Sequence, residues 1–217
     1  MRVIPPRAGE VIGDAPDRRV EILADHPSLN ATWSRFAAGR QGADLHVHRE
    51  HTDLFYVLDG EFTLRLGLAD EQVKAPAGSL LRLPPLVVHG FRNASDRDLV
   101  YLNLHAPGMR FADYLRALRY GPEFSYDQYD PPADGGRPVI GMTMTAGEGT
   151  LTDDEGVFVA RRRLEPASPL PDAAGFAYVL EGTLGDAAAG TWLELDGGSV
   201  DLRAGASGAS VLEIGIG

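Results

Sequence analysis

Four side chains in the first half of the chain could do chemistry together. His46 and His48 stand two apart, so on a β-strand both imidazoles leave the same face. Asp53 follows a short polar break at residues 49–52, and a third histidine, His89, follows the turn signal Pro84-Pro85. A lone histidine is most often an ordinary surface or core residue. Three imidazoles and one carboxylate on neighbouring elements are a different case, and they suit one divalent transition metal: Fe, Mn, Ni, Cu or Zn. Glu50 and His51 lie in the polar break and read as solvated loop residues.

Positioning these groups calls for strands. Residues 54–58 are a continuous apolar run, as expected for a strand buried on both faces. Asp59-Gly60 is a hairpin signal between that run and the next, residues 62–66. Residues 72–74 and 80–83 are short strands joined by the turn Pro76-Ala77-Gly78, and Pro84-Pro85 turns the chain so that His89 comes inward with Phe91 on its face. Residues 100–105 close the set. Their alternation places Tyr101, Asn103 and His105 on one face and Val100, Leu102 and Leu104 on the other, with the pocket-facing side left open. His105 reads as a surface residue at a strand end. Upstream, residues 5–9 form an extended arm, residues 19–23 and 32–36 are candidate strands, and His26 sits exposed in the turn between them.

The spacing resembles the two motifs of the cupin superfamily. The first reads H-x-H, three or four residues, Glu, six residues, Gly; here it is His46-x-His48, four residues, Asp53, six residues, Gly60. The second reads G, five residues, P-x-G, two residues, H, three residues, N; here it is Gly78, five residues, Pro84-x-Leu86, two residues, His89, three residues, Asn93. Asp53 replaces the usual Glu and Leu86 the usual Gly. The resemblance implies an all-β fold of small jelly-roll barrels, with His46, His48 and His89 as metal ligands and Asp53 as ligand or general base. Asp53 is one methylene shorter than Glu, so contact with the metal through water is an alternative. Tyr56, Phe91 and Tyr101 are candidate pocket walls.

Beyond the first barrel, Pro107-Gly108 breaks the pattern. Phe111, Tyr114, Leu115 and Leu118 recur at helical spacing, which predicts an amphipathic helix over residues 109–120, stopped by Gly121-Pro122. Its aromatic stripe reads as packing. Residues 131–136 are linker-like. The second half reads as a worn repeat: residues 175–184 can be laid on residues 53–62, and Gly198-Ser199 on Gly78-Ser79. In that register Ser168, Leu170, Gly175 and Ala209 stand where His46, His48, Asp53 and His89 stand in the first half. The expected architecture is therefore two cupin barrels with a short helical segment between them. The first spans residues 1–120 and carries the metal, residues 121–140 are a linker, and residues 141–217 are a degenerate barrel without metal. The segment from Ala106 to Phe111 before the helix is similar to quercetin 2,3-dioxygenase-like bicupins. This implies a metal-dependent dioxygenase acting on a small organic substrate, for example an aromatic or flavonoid-like one. A metal-dependent isomerase or lyase and a non-enzymatic small-molecule-binding cupin are the alternatives.

Composition bounds the partners. Among 217 residues, 31 Asp and Glu outweigh 20 Lys and Arg for a net charge of −11. That argues against nucleic acid and against an anionic membrane surface. A chain without cysteine has neither disulfides nor thiolate metal sites. No apolar stretch reaches membrane-spanning length and the first residues lack a signal-peptide run, so the cytoplasm is the expected compartment. A homodimer is left open.

Overall fold

Residues 54–58 and their neighbours pair into antiparallel sheets in the computed structural model, which describes residues 1–121, 123–138, 142–154, 156–171, 175–195 and 201–217. The chain divides into two compact units. Strand β1 (Arg2–Ile4) belongs to the second. The first unit, Glu10–Ala146, holds β2 (Glu10–Ala15), β3 (Arg18–His26), β4 (Leu29–Phe36), β5 (Thr52–Asp59), β6 (Glu61–Leu66), β7 (Glu71–Pro76), β8 (Ser79–Leu83), β9 (His89–Arg92), β10 (Leu99–Ala106), helix α1 (Phe111–Tyr120) and β11 (Thr143–Ala146). One sheet runs in the order β11-β8-β5-β10-β4-β3-β2 and a smaller one in the order β7-β6-β9.

Register sorts the interior of this unit by polarity. Along β5, Asp53, Phe55 and Val57 share one face. On β10 their partners are His105, Asn103 and Tyr101, and on β4 Thr32 and Ser34 pair with Asn103 and Tyr101. Phe55, Val57, Phe62, Leu64, Leu81, Leu99 and Tyr101 form a buried cluster. Each such large apolar side chain contributes roughly 1.5–3 kcal/mol through burial. The opposite end of the same strands is polar. Gly60 makes the β5–β6 hairpin possible: its φ is +83°, and a Cβ there would meet the Asp98 carbonyl oxygen at 2.4 Å.

The helix begins later than residue 109, because Met109 and Arg110 have φ of +46° and +62°, outside helical geometry. It ends at Gly121, which takes φ +89° and donates its N–H to the Ala117 carbonyl. Pro122, the other half of the expected stop, lies outside the described residues. Ala112 and Leu115 pack α1 on Ile12 and Ile22, and Arg116 is clamped by Glu10 and Asp25.

The second unit comprises Met1–Gly9 and Gly147–Gly217. It contains β12 (Gly149–Asp154), β13 (Val157–Leu164), β14 (Phe176–Leu184), β15 (Ala187–Ala188), β16 (Trp192–Glu194) and β17 (Ala204–Ile216). Its sheet runs β1-β16-β14-β17-β13-β12, with β15 on β14. These units depart from the 1–120, 121–140 and 141–217 expectation at two places. β1 pairs with β16, and the stretch after α1 stays with the first unit through the bridges Val47↔Tyr129 and Val87↔Gly136 and through β11 on β8.

The repeat is present, with a corrected register. Gly182 takes φ +71° and a Cβ there would meet Gly208 O and Ala209 Cα, as one on Gly60 would meet Asp98 O and Leu99 Cα. Ala209 therefore corresponds to Leu99, not to His89. Gly78 N donates to Val57 O and Gly190 N to Val179 O, so Gly190 is the counterpart of Gly78. The Gly198-Ser199 match of the sequence register falls outside the described residues. Among the described residues, no helix is long and apolar enough to cross a membrane.

Candidate metal centre

A short backbone ladder, rather than a long strand, fixes the histidines. His46 N donates to His89 O at 2.8 Å and His89 N returns the bond at 3.0 Å. Val47 exchanges two bonds with Tyr129, and Leu86 N donates to His48 O. The two flanking side chains, His46 and His48, then project together, as their spacing requires.

The three imidazoles are locked in the same way. Nδ1 of His46 faces Asp44 O at 2.7 Å, Nδ1 of His48 faces Asp127 O at 2.5 Å, and Nδ1 of His89 faces Val87 O at 2.9 Å. A carbonyl only accepts, so each Nδ1 carries the proton and each Nε2 presents a lone pair. Those lone pairs converge. The Nε2 atoms of His46 and His48 are 3.2 Å apart, and the ligand atoms of His46, His48 and His89 all lie within 4.8 Å of one another. Acceptors facing each other at that distance repel unless a cation lies between them. Nitrogens bound at about 2.0–2.1 Å to one metal stand about 3 Å apart, so the donor set fits a metal ion. Burial and the neighbouring imidazoles of His89 and His48 push His46 down to about 3, which keeps it neutral.

Asp53 points into the same space. Its Oδ2 lies 3.3 Å from His89 Nε2 and 3.7 Å from His48 Nε2. Its Oδ1 accepts from Asn103 Nδ2 and sits 3.4 Å from His105 Nε2. Burial opposes charge on this carboxyl, but the imidazoles of His105, His48 and His89 around it hold it well below the usual carboxylate range.

Behind the histidines runs a second polar chain that sequence reasoning missed. The Asp127 carboxylate accepts from His51 Nδ1 at 2.8 Å and from the backbone N–H groups of Arg49 and Glu50. Tyr126 Oη lies 3.1 Å from His51 Nε2 and bonds His105 Nδ1; His105 Nε2 lies 3.0 Å from Asn103 Oδ1. His51 is fully buried, so its reading as a solvated residue is corrected: the turn folds inward because Asp127 satisfies its N–H groups. Glu50 is exposed, as expected. His105 is buried too, stacked on Phe111 at 3.8 Å, rather than on the surface. Strand alternation grouped His105 with Asn103 and Tyr101. No sequence signal marked Tyr126 or Asp127, which lie in the stretch that reads as a linker.

A cavity of about 350 Å³ opens over the site. Phe36, Phe91 and Tyr101 line one part, and Phe111, Tyr114, Leu115 and Leu118 of α1 line another. The aromatic stripe of α1 thus both packs, with Tyr114 stacked on Tyr126, and forms a wall. Tyr56 is buried on the other face of β5 and does not reach the cavity.

Residues 32–105 match the family model described as the cupin domain. No curated protein matches the chain. Among solved structures, a bacterial pirin, YhhW from Escherichia coli in complex with nickel(II), shares 14% identity at a TM-score of 0.69, covering 99% of this chain and 98% of that one. GK1651 from Geobacillus kaustophilus shares 19% identity at a TM-score of 0.62, over 98% and 93%. A cupin 2 conserved barrel domain protein from Leptotrichia buccalis shares 10% identity at 0.56, over 94% and 91%. At these identities the likeness is one of fold, and it spans both barrels.

Proposed function

We propose that this two-barrel cupin chain binds one divalent transition metal in its N-terminal barrel and acts as a metal-dependent dioxygenase on a small aromatic substrate. The observation that carries the reading is the convergence of three Nε2 lone pairs, each aimed by an Nδ1–H bond to a backbone carbonyl. His46, His48 and His89 would hold the metal, with Asp53 as a fourth ligand, directly or through water. The pirin of the same fold was solved with nickel(II), which supports a metal in such a barrel. A metal held there supplies Lewis acidity and a route to dioxygen chemistry. The chain's own contribution is positioning. Asn103 holds one oxygen of Asp53 while the other lies beside the Nε2 atoms of His89 and His48, where it can serve as ligand or proton acceptor. The aromatic walls stack a planar substrate and exclude water. Because Asp53 lies against His89 and His48 at the metal position, a metal-dependent isomerase or lyase, in which Asp53 moves a proton without oxygen, is the second reading.

The test combines elemental analysis with oxygen uptake. Purified protein should carry about one transition metal per chain and consume oxygen with a phenolic or enolic aromatic substrate, and His46→Ala with His48→Ala should abolish both. Metal content unchanged in the double variant would overturn the site. Turnover that persists under nitrogen would move the assignment to the isomerase or lyase reading.

A further inference from the structure

We propose that Arg18 is the anion-recognition residue of the cavity, so that the substrate class is a small aromatic monocarboxylate, its ring between the aromatic walls and its other end at the metal. This rests on the metal reading above. Arg18 stands at the start of β3 and lines the cavity that holds His46, His48 and Asp53. Its side chain folds back over Gly13, where a Cβ would lie 3.7 Å from its terminal nitrogen. The chain carries 31 acidic residues against 20 basic ones, and the neighbouring arginines have carboxylate partners. Arg19 bonds Asp14 and Glu21, Arg35 bonds Asp98, Arg40 meets Asp17, and Arg116 meets Glu10 and Asp25. Among the described residues, Arg18 has no hydrogen-bond or ion-pair partner. An unpaired guanidinium at the mouth of a pocket in an acidic protein is a ready carboxylate receptor, with a planar fork that matches two carboxylate oxygens.

The surroundings restrict the ligand further. Asp44, the other charged rim residue, is turned to solvent 3.9 Å from Arg65 and does not neutralise Arg18. Deeper in, the buried polar lining is neutral, Thr32, Ser34 and Asn103, up to the Asp53 carboxylate, and the exposed Gln128 is neutral too. One cation facing one buried anion suits a single negative charge held at the mouth. A dianionic phosphate would meet a net charge of −11 with only one guanidinium to offset it. Arg18, Tyr101 and Asp53 line the same cavity, so metal floor and cationic rim serve one continuous pocket. At about 350 Å³ the cavity sits at the small end of ligand pockets and suits a compact ring rather than an extended polycycle.

Calorimetric titration of the full-length, metal-loaded protein tests this with benzoate, 2-hydroxybenzoate and 3-phenylpyruvate, each beside its uncharged amide. At least one acid should bind wild type more tightly than its amide. Arg18→Gln should weaken that acid by about tenfold or more while leaving the amide and the metal content unchanged. Arg18→Lys should recover part of the loss, and thermal midpoints should match wild type because the side chain is exposed. Equal affinity of wild type and Arg18→Gln for the acid, no preference for acid over amide, or no binding by any of the acids would each overturn the proposal. The His46→Ala plus His48→Ala protein separates the two readings. If that protein keeps its metal, the metal reading fails, while tighter acid binding by wild type than by Arg18→Gln still carries anion recognition; if it loses its metal but Arg18→Gln loses no affinity for the acid, the reverse holds.

Discussion

Three imidazoles whose Nδ1 protons go to carbonyls have one free valence each, and all three valences meet. His89→Ala should therefore remove most bound metal, read by elemental analysis, while the barrel persists. Asp53 lies close enough to act in either of two ways. If it is a ligand, Asp53→Ala lowers metal affinity together with turnover; if it is a base, metal stays and turnover alone falls. Loss of neither would remove Asp53 from the site. Asp127 has a structural task at this scale, since its carboxylate satisfies two backbone N–H groups and His51 while its carbonyl orients His48. Burial raises its pKa, but the bonds from His51, Arg49 and Glu50 lower it to about 2 overall. Asp127→Ala should cost about 2–4 kcal/mol in urea denaturation and loosen metal binding about tenfold. His46 brings a pH dependence. Its folded value near 3 lies below the unfolded reference of 6.5, so the unfolded chain takes the proton first. Metal-free protein should lose stability as pH falls from about 6.5 towards 3, by about 1.4 kcal/mol per unit for this group. A stability that stays level between pH 6 and 4 would contradict the buried neutral imidazole.

Hairpins and the helix place these residues. Gly60 and Gly39 both have positive φ, but only at Gly60 would a Cβ collide with backbone; at Gly39 nothing lies within 4 Å. Gly39→Ala should cost about 1 kcal/mol from backbone strain alone. Gly60→Ala should cost clearly more, because the Asp98 carbonyl must move with β10, the strand that carries Asn103 and His105. Equal denaturation midpoints for the two variants would show that the hairpin absorbs the clash. Helix α1 is held over β2 and β3 by Ile12, Ile22, Ala112 and Leu115, and its Phe111 reaches His105. This makes the helix a wall of the cavity rather than only a connection after the first barrel.

At the scale of the whole molecule, the two units repeat a strand plan but not a chemistry. No histidine follows His105. In the second barrel Glu213 pairs with Ala177 on β14, as Asn103 pairs with Phe55 on β5. Glu213 is fully buried and bonded to Arg162 at 2.6 Å, so an ion pair stands in this barrel where the first has polar groups around Asp53. Arg162 is about one-third exposed, which screens the pair. Glu213→Ala should cost about 2–3 kcal/mol and leave metal content unchanged. A fall in metal content would show that the second barrel contributes to the site.

Much of the site was legible because its signals are local. The His46-x-His48 spacing, the apolar run 54–58, the Asp59-Gly60 turn and the absence of later histidines are properties of short stretches, and strand period and turn stereochemistry act over the same range. The inward face of β10, the burial of His51 and His105, and the part played by Tyr126 and Asp127 were decided only by tertiary structure. His51 and Asp127 lie 76 residues apart, and no periodicity links a turn in one segment to an irregular stretch in another. The same holds for β1, which finds its partner on β16. A buried polar group must find a hydrogen-bond partner wherever the fold supplies one, and that choice is made in three dimensions.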